Sequence, residues 1–171
     1  MVHIARDSIN IRPATLTGPD GDAVSRLLEA YLMQTEIEKV LHLGGTPAGD
    51  GLSERYRREV DNPARVYGNA VVYVAETDSP VGVVVVQQKA TSSEIKRVWV
   101  DPGSRGRRVG SALIDVALSH ATRPIRLTVW DWREDTVRLY RSRGFMPVES
   151  WDVRPRLLCM ELRHDPSQSA R

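Results

Sequence analysis

Apolar and polar positions change period several times along the chain, and each change marks an element. INIRPAT (residues 9–15) alternates and predicts a strand. Ala23, Leu27, Leu28 and Tyr31 then recur at helical spacing, with Asp20 or Asp22 placed to cap the helix. HLGGTPAGDGLS (residues 42–53) breaks that helix with glycines and a proline. LSERYRREVDN reads as a short charged helix. AVVYVAET and VGVVVVQQ flank Asp78-Ser79-Pro80 as a hairpin, and EIKRVWV (residues 94–100) adds a third strand. Val109, Ala112, Leu113, Val116 and Ala117 form one apolar helix stripe. IRLTVW (residues 125–130) predicts a strand. REDTVRLYRSRG predicts a helix ending at Gly144, and PVESWDV and RLLCMEL a closing pair of strands. The order β-α-α-β-β-β-α-β-α-β-β implies an α+β fold around one central sheet, with no repeat and no interdomain linker.

Composition adds mostly exclusions. The 171 residues suit one domain, and a net charge of +2 gives no reason to expect a nucleic-acid or membrane partner. Cys159 is the one cysteine, so no internal disulfide forms; in its apolar run it reads as a small buried hydrophobe. A reducing, cytoplasmic setting is the expectation. His3, His42, His120 and His164 lack metal-ligand spacing, so no metal is expected. MVHIARDSIN has no apolar signal core, and residues 164–171 read as a polar, flexible tail.

Candidate chemistry concentrates in VWVDPGSRGRRVGSAL (residues 98–113), where a strand hands over to a helix. The N-terminus of a helix offers unpaired N–H groups and the positive end of its dipole. Gly106 and Gly110 leave room for an anion to approach the backbone, and Arg105, Arg107 and Arg108 attract it. The ligand that suits such a turn is a small polyphosphate; a solvated basic turn is the alternative. Neither G-x-x-x-x-G-K-S/T nor G-x-G-x-x-G is present.

VWVDPGSRGRRVGSALI resembles motif A of the Gcn5-related N-acetyltransferases (GNAT), centred on Q/R-x-x-G-x-G/A. Arg105 and Gly110 match its ends, while Arg108 stands where glycine is usual. LTVWDWREDTVRLYRSRGF resembles motif B: Leu139, Tyr140, Gly144 and Phe145 match, and Arg133 and Thr136 replace the usual asparagine and alanine. The resemblance covers residues 9–163 of a single acetyltransferase domain spanning 1–171. It implies a mixed sheet of six to seven strands, four helices, and splayed parallel strands at the coenzyme site.

The resemblance also implies acetyl-CoA as cosubstrate. Val98, Trp99 and Val100 would border its pantetheine arm. Arg105, Gly106, Arg107, Arg108, Val109, Gly110 and Ser111 would hold its pyrophosphate, with Arg133 and Tyr140 beside it. Acetyl transfer to an amine needs a deprotonated nucleophile and a proton for the leaving thiolate. Glu94, eleven residues before Arg105, is the candidate base, and strand alternation groups it with Lys96, Val98 and Val100 on one face. The resemblance makes Tyr140 the candidate acid. A surface carboxylate and a core tyrosine are the competing structural readings.

Trp130, Asp131 and Trp132 could form an aromatic pocket with a carboxylate, suited to a cationic amine. LGGTPAGDG could cover it as a lid. The expected reaction is direct attack by a primary amine, of a small molecule, on acetyl-CoA in a ternary complex. A protein amine as acceptor, or a non-catalytic acetyl-CoA-binding module, are the alternatives, and a homodimer is left open.

Overall fold

The computed structural model describes residues 8–163; His3, His164 and the tail at 164–171 lie outside them. The elements are β1 (Asn10–Pro13), α1 (Gly18–Leu43), α2 (Glu54–Asp61), α3 (Pro63–Tyr67), β2 (Val71–Glu76), β3 (Pro80–Gln88), β4 (Ser93–Val100), a 3₁₀ turn (Pro102–Ser104), α4 (Val109–His120), β5 (Ile125–Trp130), α5 (Glu134–Ser142), β6 (Met146–Pro147) and β7 (Leu157–Leu162). The strands form one mixed sheet in the order β1-β2-β3-β4-β5-β7-β6. Among the described residues only β4 and β5 pair in parallel.

Helices cover both faces of the sheet. Val84 and Val86 of β3 join a cluster with Leu113, Ile114 and Ala117 of α4 and with Phe145. Val83 and Val85 join the opposite cluster with Val24, Leu27, Leu28 and Leu32 of α1. This is why β3 reads as an unbroken apolar run: both of its faces are buried. Truncating any one of these leucines to alanine removes about 2–5 kcal/mol.

Several boundaries differ from the sequence reading. α1 is capped at Thr17 without a side-chain bond. Asp20 lies inside the first turn, where it accepts the Thr15 N–H at 2.7 Å and the Arg12 guanidinium at 2.7 and 2.9 Å. Arg12 also grips Glu76, so one guanidinium ties β1 to the end of β2 and the start of α1. The short α3 is an additional helix, started by Pro63 and by Asn62 accepting the Arg65 N–H.

PVESWDV is not a strand beyond Met146–Pro147. Ser150 and Asp152 satisfy the backbone locally instead. The Ser150 hydroxyl bonds to the Asp152 carbonyl at 2.7 Å, and the Asp152 carboxylate accepts the Arg154 N–H at 2.9 Å. The α4 stripe also takes in Ile114, which is fully buried.

Candidate active site

β4 carries the departure from regularity that shapes the site. Val85 faces Lys96 and Val83 faces Trp99, so Arg97 and Val98 together oppose Val84. Arg97 is the bulged residue, with a left-handed φ of 58°. Its guanidinium is held by Glu59 of α2 through Nε (2.8 Å) and Nη2 (2.7 Å), and lies over the rings of Tyr31 and Tyr56. Glu59 also accepts the Tyr67 hydroxyl at 2.6 Å. Burial pushes the Glu59 carboxyl up, but Arg97 and then Tyr67 outweigh it and hold it below the usual range.

The bulge corrects the sequence reading of β4. Ile95 packs on the α4 side, so Glu94 and Lys96 point to the α1 side. Past the bulge the alternation reverses. Val98 and Val100 pack on the α4 side and Trp99 on the α1 side. Glu94 therefore does not share a face with Val98 and Val100.

Beyond the bulge β4 also parts from β5. Their parallel register comprises Ser93 with Ile125 and Glu94 with Arg126. The strands then splay, as the sequence reading expected, and the edge of residues 96–100 that faces β5 is left without a strand partner. A cleft of about 890 Å³ opens there. Val98, Trp99 and Val100 line it, together with Arg105, Gly106, Arg108, Val109, Gly110 and Ser111 of the basic turn and α4. Trp132 and Arg133 close it from the other side. Arg107 is not among the lining residues.

The turn is built for a close approach to its backbone. Gly106 has a φ of 76° and Arg108, the cap of α4, a φ of 63°. Left-handed backbone at position 108 is the physical reason that glycine is usual there; arginine adopts the same conformation at a cost of about 1–2 kcal/mol. Arg105 is pinned back: its Nε donates to the Val100 carbonyl at 2.9 Å, and its guanidinium sits 4.7 Å from the centre of the Trp99 ring. At Gly110 an added Cβ would meet Val100 at 3.7 Å, an ordinary contact, so only a longer or charged side chain would obstruct the turn.

A second cavity, of about 120 Å³, lies deeper along β4. It contains both candidate catalytic groups, Glu94 and Tyr140, and it shares Val98, Arg133 and Thr136 with the large cleft. Tyr140 is buried, and burial first, then Tyr31, pushes its phenol well above the usual range against an opposing effect of Arg133. Glu94 is bracketed by Lys89 Nζ at 2.9 Å and Lys96 Nζ at 3.5 Å. Burial pushes its carboxyl up, but the two lysines outweigh that and hold it below its ordinary value.

Arg133 stands at the junction of the two cavities as a strut to α1. Its Nε donates to Glu38 at 2.7 Å and its Nη2 to the Thr35 hydroxyl at 2.8 Å. Glu38 also accepts the Trp132 indole N–H at 2.9 Å. Trp132 stacks between His42 (4.6 Å) and Trp130 (4.7 Å).

The structure does not bring Trp130, Asp131 and Trp132 around one cavity. Trp130 lines the small one, Trp132 the large one, and Asp131 lines neither but pairs with Arg156 at 2.9 Å. Gln34, Glu38 and His42, which wall the cleft, were legible as a polar stripe at four-residue spacing on α1. Arg55 and Arg154, on the small cavity, carry no such signal. Among the described residues no cluster of three His, Cys, Asp or Glu side chains is placed to hold a metal, and no helix is long and apolar enough to cross a membrane.

Comparison with known proteins agrees with this architecture. Residues 68–147 match the model of the acetyltransferase (GNAT) domain. The fold is similar to a GNAT-family acetyltransferase from Staphylococcus aureus, with a TM-score of 0.63 and 17% identity over 91% of this chain and 100% of that one. It is similar to the PaiA N-acetyltransferase of Thermoplasma acidophilum, solved in complex with coenzyme A, with a TM-score of 0.63 and 17% identity over 92% and 99% of the two chains. The GNAT domain of S. lividans PAT gives a TM-score of 0.58 at 19% identity over 90% and 89%. At these identities the likeness establishes the fold. No curated protein matches the chain.

Proposed function

We propose that this chain, which carries a GNAT acetyltransferase domain at residues 68–147, moves an acetyl group from acetyl-CoA to the primary amine of a small molecule by direct attack in a ternary complex. The observation that carries this reading is the junction of the two cavities. A cleft bordered by a cationic turn meets, at Val98, Arg133 and Thr136, a smaller cavity that holds a carboxylate and a buried phenol.

In this reading the amides at the start of α4, with Arg105 and Arg108 nearby, take the pyrophosphate. The pantetheine arm runs along the free edge of β4, replacing the strand that β5 would have supplied. The thioester oxygen accepts, so only N–H groups of the free β4 edge can hold it; the Val100 carbonyl, itself an acceptor, takes the Arg105 Nε–H instead.

The acceptor amine enters through the small cavity. Its lone pair attacks the thioester carbon, a C–N bond forms, and the C–S bond breaks with its electron pair going to sulfur. Glu94, through water, accepts the proton lost by nitrogen. Tyr140 supplies one to the thiolate. A phenol is ordinarily a weaker acid than a thiol, near pKa 10 against 8.5. Burial raises the Tyr140 phenol further, so its proton moves only in concert with C–S cleavage, as an equally desolvated thiolate forms beside it and carries the proton away with the leaving coenzyme.

The test is a thermal shift with acetyl-CoA, followed by thiol release with a panel of amines. Binding to the native state raises the melting temperature by mass action. Gly110→Glu places bulk and negative charge at the pyrophosphate, so it should remove most of the shift. An unchanged shift in that variant would sink the phosphate-turn assignment, and a shift without thiol release for any amine would sink the transfer itself.

A further inference from the structure

The small cavity is lined by Arg55, Lys96, Arg97, Arg133 and Arg154, with Glu94 as its one lining carboxylate. These cations come from α2, the β4 bulge, the cap of α5 and the β6–β7 connection, so their convergence is a product of the fold and not of a basic run in the sequence.

Three of them are held in fixed directions by carboxylates that do not line this cavity. Glu59 grips Arg97, Glu38 grips Arg133, and Asp152 grips Arg154 at 2.6 and 2.9 Å. Lys96 shares Glu94 with Lys89. Among the described residues Arg55 forms no hydrogen bond or ion pair, and contributes a longer-range attraction to Glu59. An ammonium ion entering this space faces five lining cations against one lining carboxylate, Glu94, and of those cations Arg55 has no carboxylate bonded to it.

We propose that the acceptor amine carries an oxyanion, a carboxylate or a phosphate, that seats against Arg55 and the neighbouring guanidinium groups of this cavity. The inference rests on the acetyl-transfer reading and narrows its acceptor class. Two consequences make it coherent chemically. The oxyanion offsets the repulsion that a plain amine would feel. The surrounding cations also lower the pKa of the amine, which favours its neutral, nucleophilic form beside a carboxylate that is a weak base. Charge-assisted bonds of this kind are stronger than neutral ones, and arginine presents them in a forked geometry matched to carboxylate and phosphate.

The test is calorimetric titration of the full chain with matched product pairs. N-acetylglycine and N-acetylphenylalanine are compared with their carboxamides, and N-acetyl-phosphoethanolamine with N-acetylethanolamine. At least one anion should bind about tenfold or more tighter than its neutral partner, as expected for a charge-assisted bond. Arg55→Ala should narrow that gap, and Arg55→Glu abolish it, while the acetyl-CoA thermal shift persists. The pair that shows the gap identifies carboxylate or phosphate.

Equal binding within every pair, absence of binding by every anion, or a gap unchanged in both Arg55 variants overturns the proposal. Thiol release, measured in parallel, separates the two levels. Anion preference without turnover leaves this site standing and removes the transfer reading. Turnover of neutral and anionic amines at equal rates does the reverse.

Discussion

Replacing Glu59 by glutamine should cost more stability than any surface ion pair of this protein, and should do so through the bulge that opens the site. Glu59 is 4% exposed and meets three donors: Nε and Nη2 of Arg97 and the Tyr67 hydroxyl. Removing one partner of a buried pair leaves the other charge uncompensated, at a cost of about 3–5 kcal/mol. That is a large share of the roughly 5–15 kcal/mol by which domains are stable. In a chain of this length each kcal/mol lowers the melting temperature by about 2–4 °C, so a fall on the order of 10 °C is expected.

The pH dependence has a definite sign. Glu59 is held below its ordinary pKa, so its contribution is fully present above the unfolded-state value near 4.3 and is lost as pH falls through the folded value. Urea unfolding of wild type and Glu59→Gln, at neutral pH and through the acid range, reads both effects. The two curves should converge in acid. Arg97→Met should cost stability too, and the double variant should lose less than the sum, because with both charges removed neither is left unpaired. A loss below about 1 kcal/mol in Glu59→Gln, the range of an exposed pair, would refute the reasoning.

The parts of the fold that sequence made legible are those where local pattern and tertiary environment agree. The α4 stripe, the β2–β3 hairpin and Gly144, which ends α5 with a φ of 93°, are each written within one short continuous stretch. The basic turn was legible for the same reason, since its glycines and arginines are consecutive. The bulge was not. Nothing in EIKRVWV marks Arg97 as the residue with positive φ, because what stabilises it is Glu59, 38 positions earlier. One extra residue reverses every face beyond it, and this separated Glu94 from Val98 and Val100. Trp130, Asp131 and Trp132 were readable as a group but not as a pocket. Their directions are set by His42, Glu38 and Arg156, which the sequence places far away. Where a site is made by convergence, as with the cations of the small cavity, no local window contains the signal.

Two further expectations concern the chemistry directly. Glu94→Gln should slow acetyl transfer about 10²–10⁴-fold near neutral pH while acetyl-CoA binding persists. Because Lys89 and Lys96 hold the Glu94 carboxyl below its ordinary value, it is ionised throughout the neutral range; the rise of kcat/KM with pH should then follow the amine and survive in the variant, and wild-type turnover in Glu94→Gln would remove the residue from the mechanism. Tyr140→Phe keeps the ring that packs 5.7 Å from Phe145 and removes only the hydroxyl. If that hydroxyl protonates the thiolate, turnover and kcat/KM should fall together and acetyl-CoA affinity should stay nearly unchanged, the pattern of an interaction made only in the transition state. If it only satisfies a buried polar contact, the variant should lose about 0.5–1.5 kcal/mol of stability and turn over normally while folded. Single-turnover acetyl transfer beside thermal unfolding distinguishes these outcomes, and normal chemistry in a destabilised variant would exclude Tyr140 as the acid.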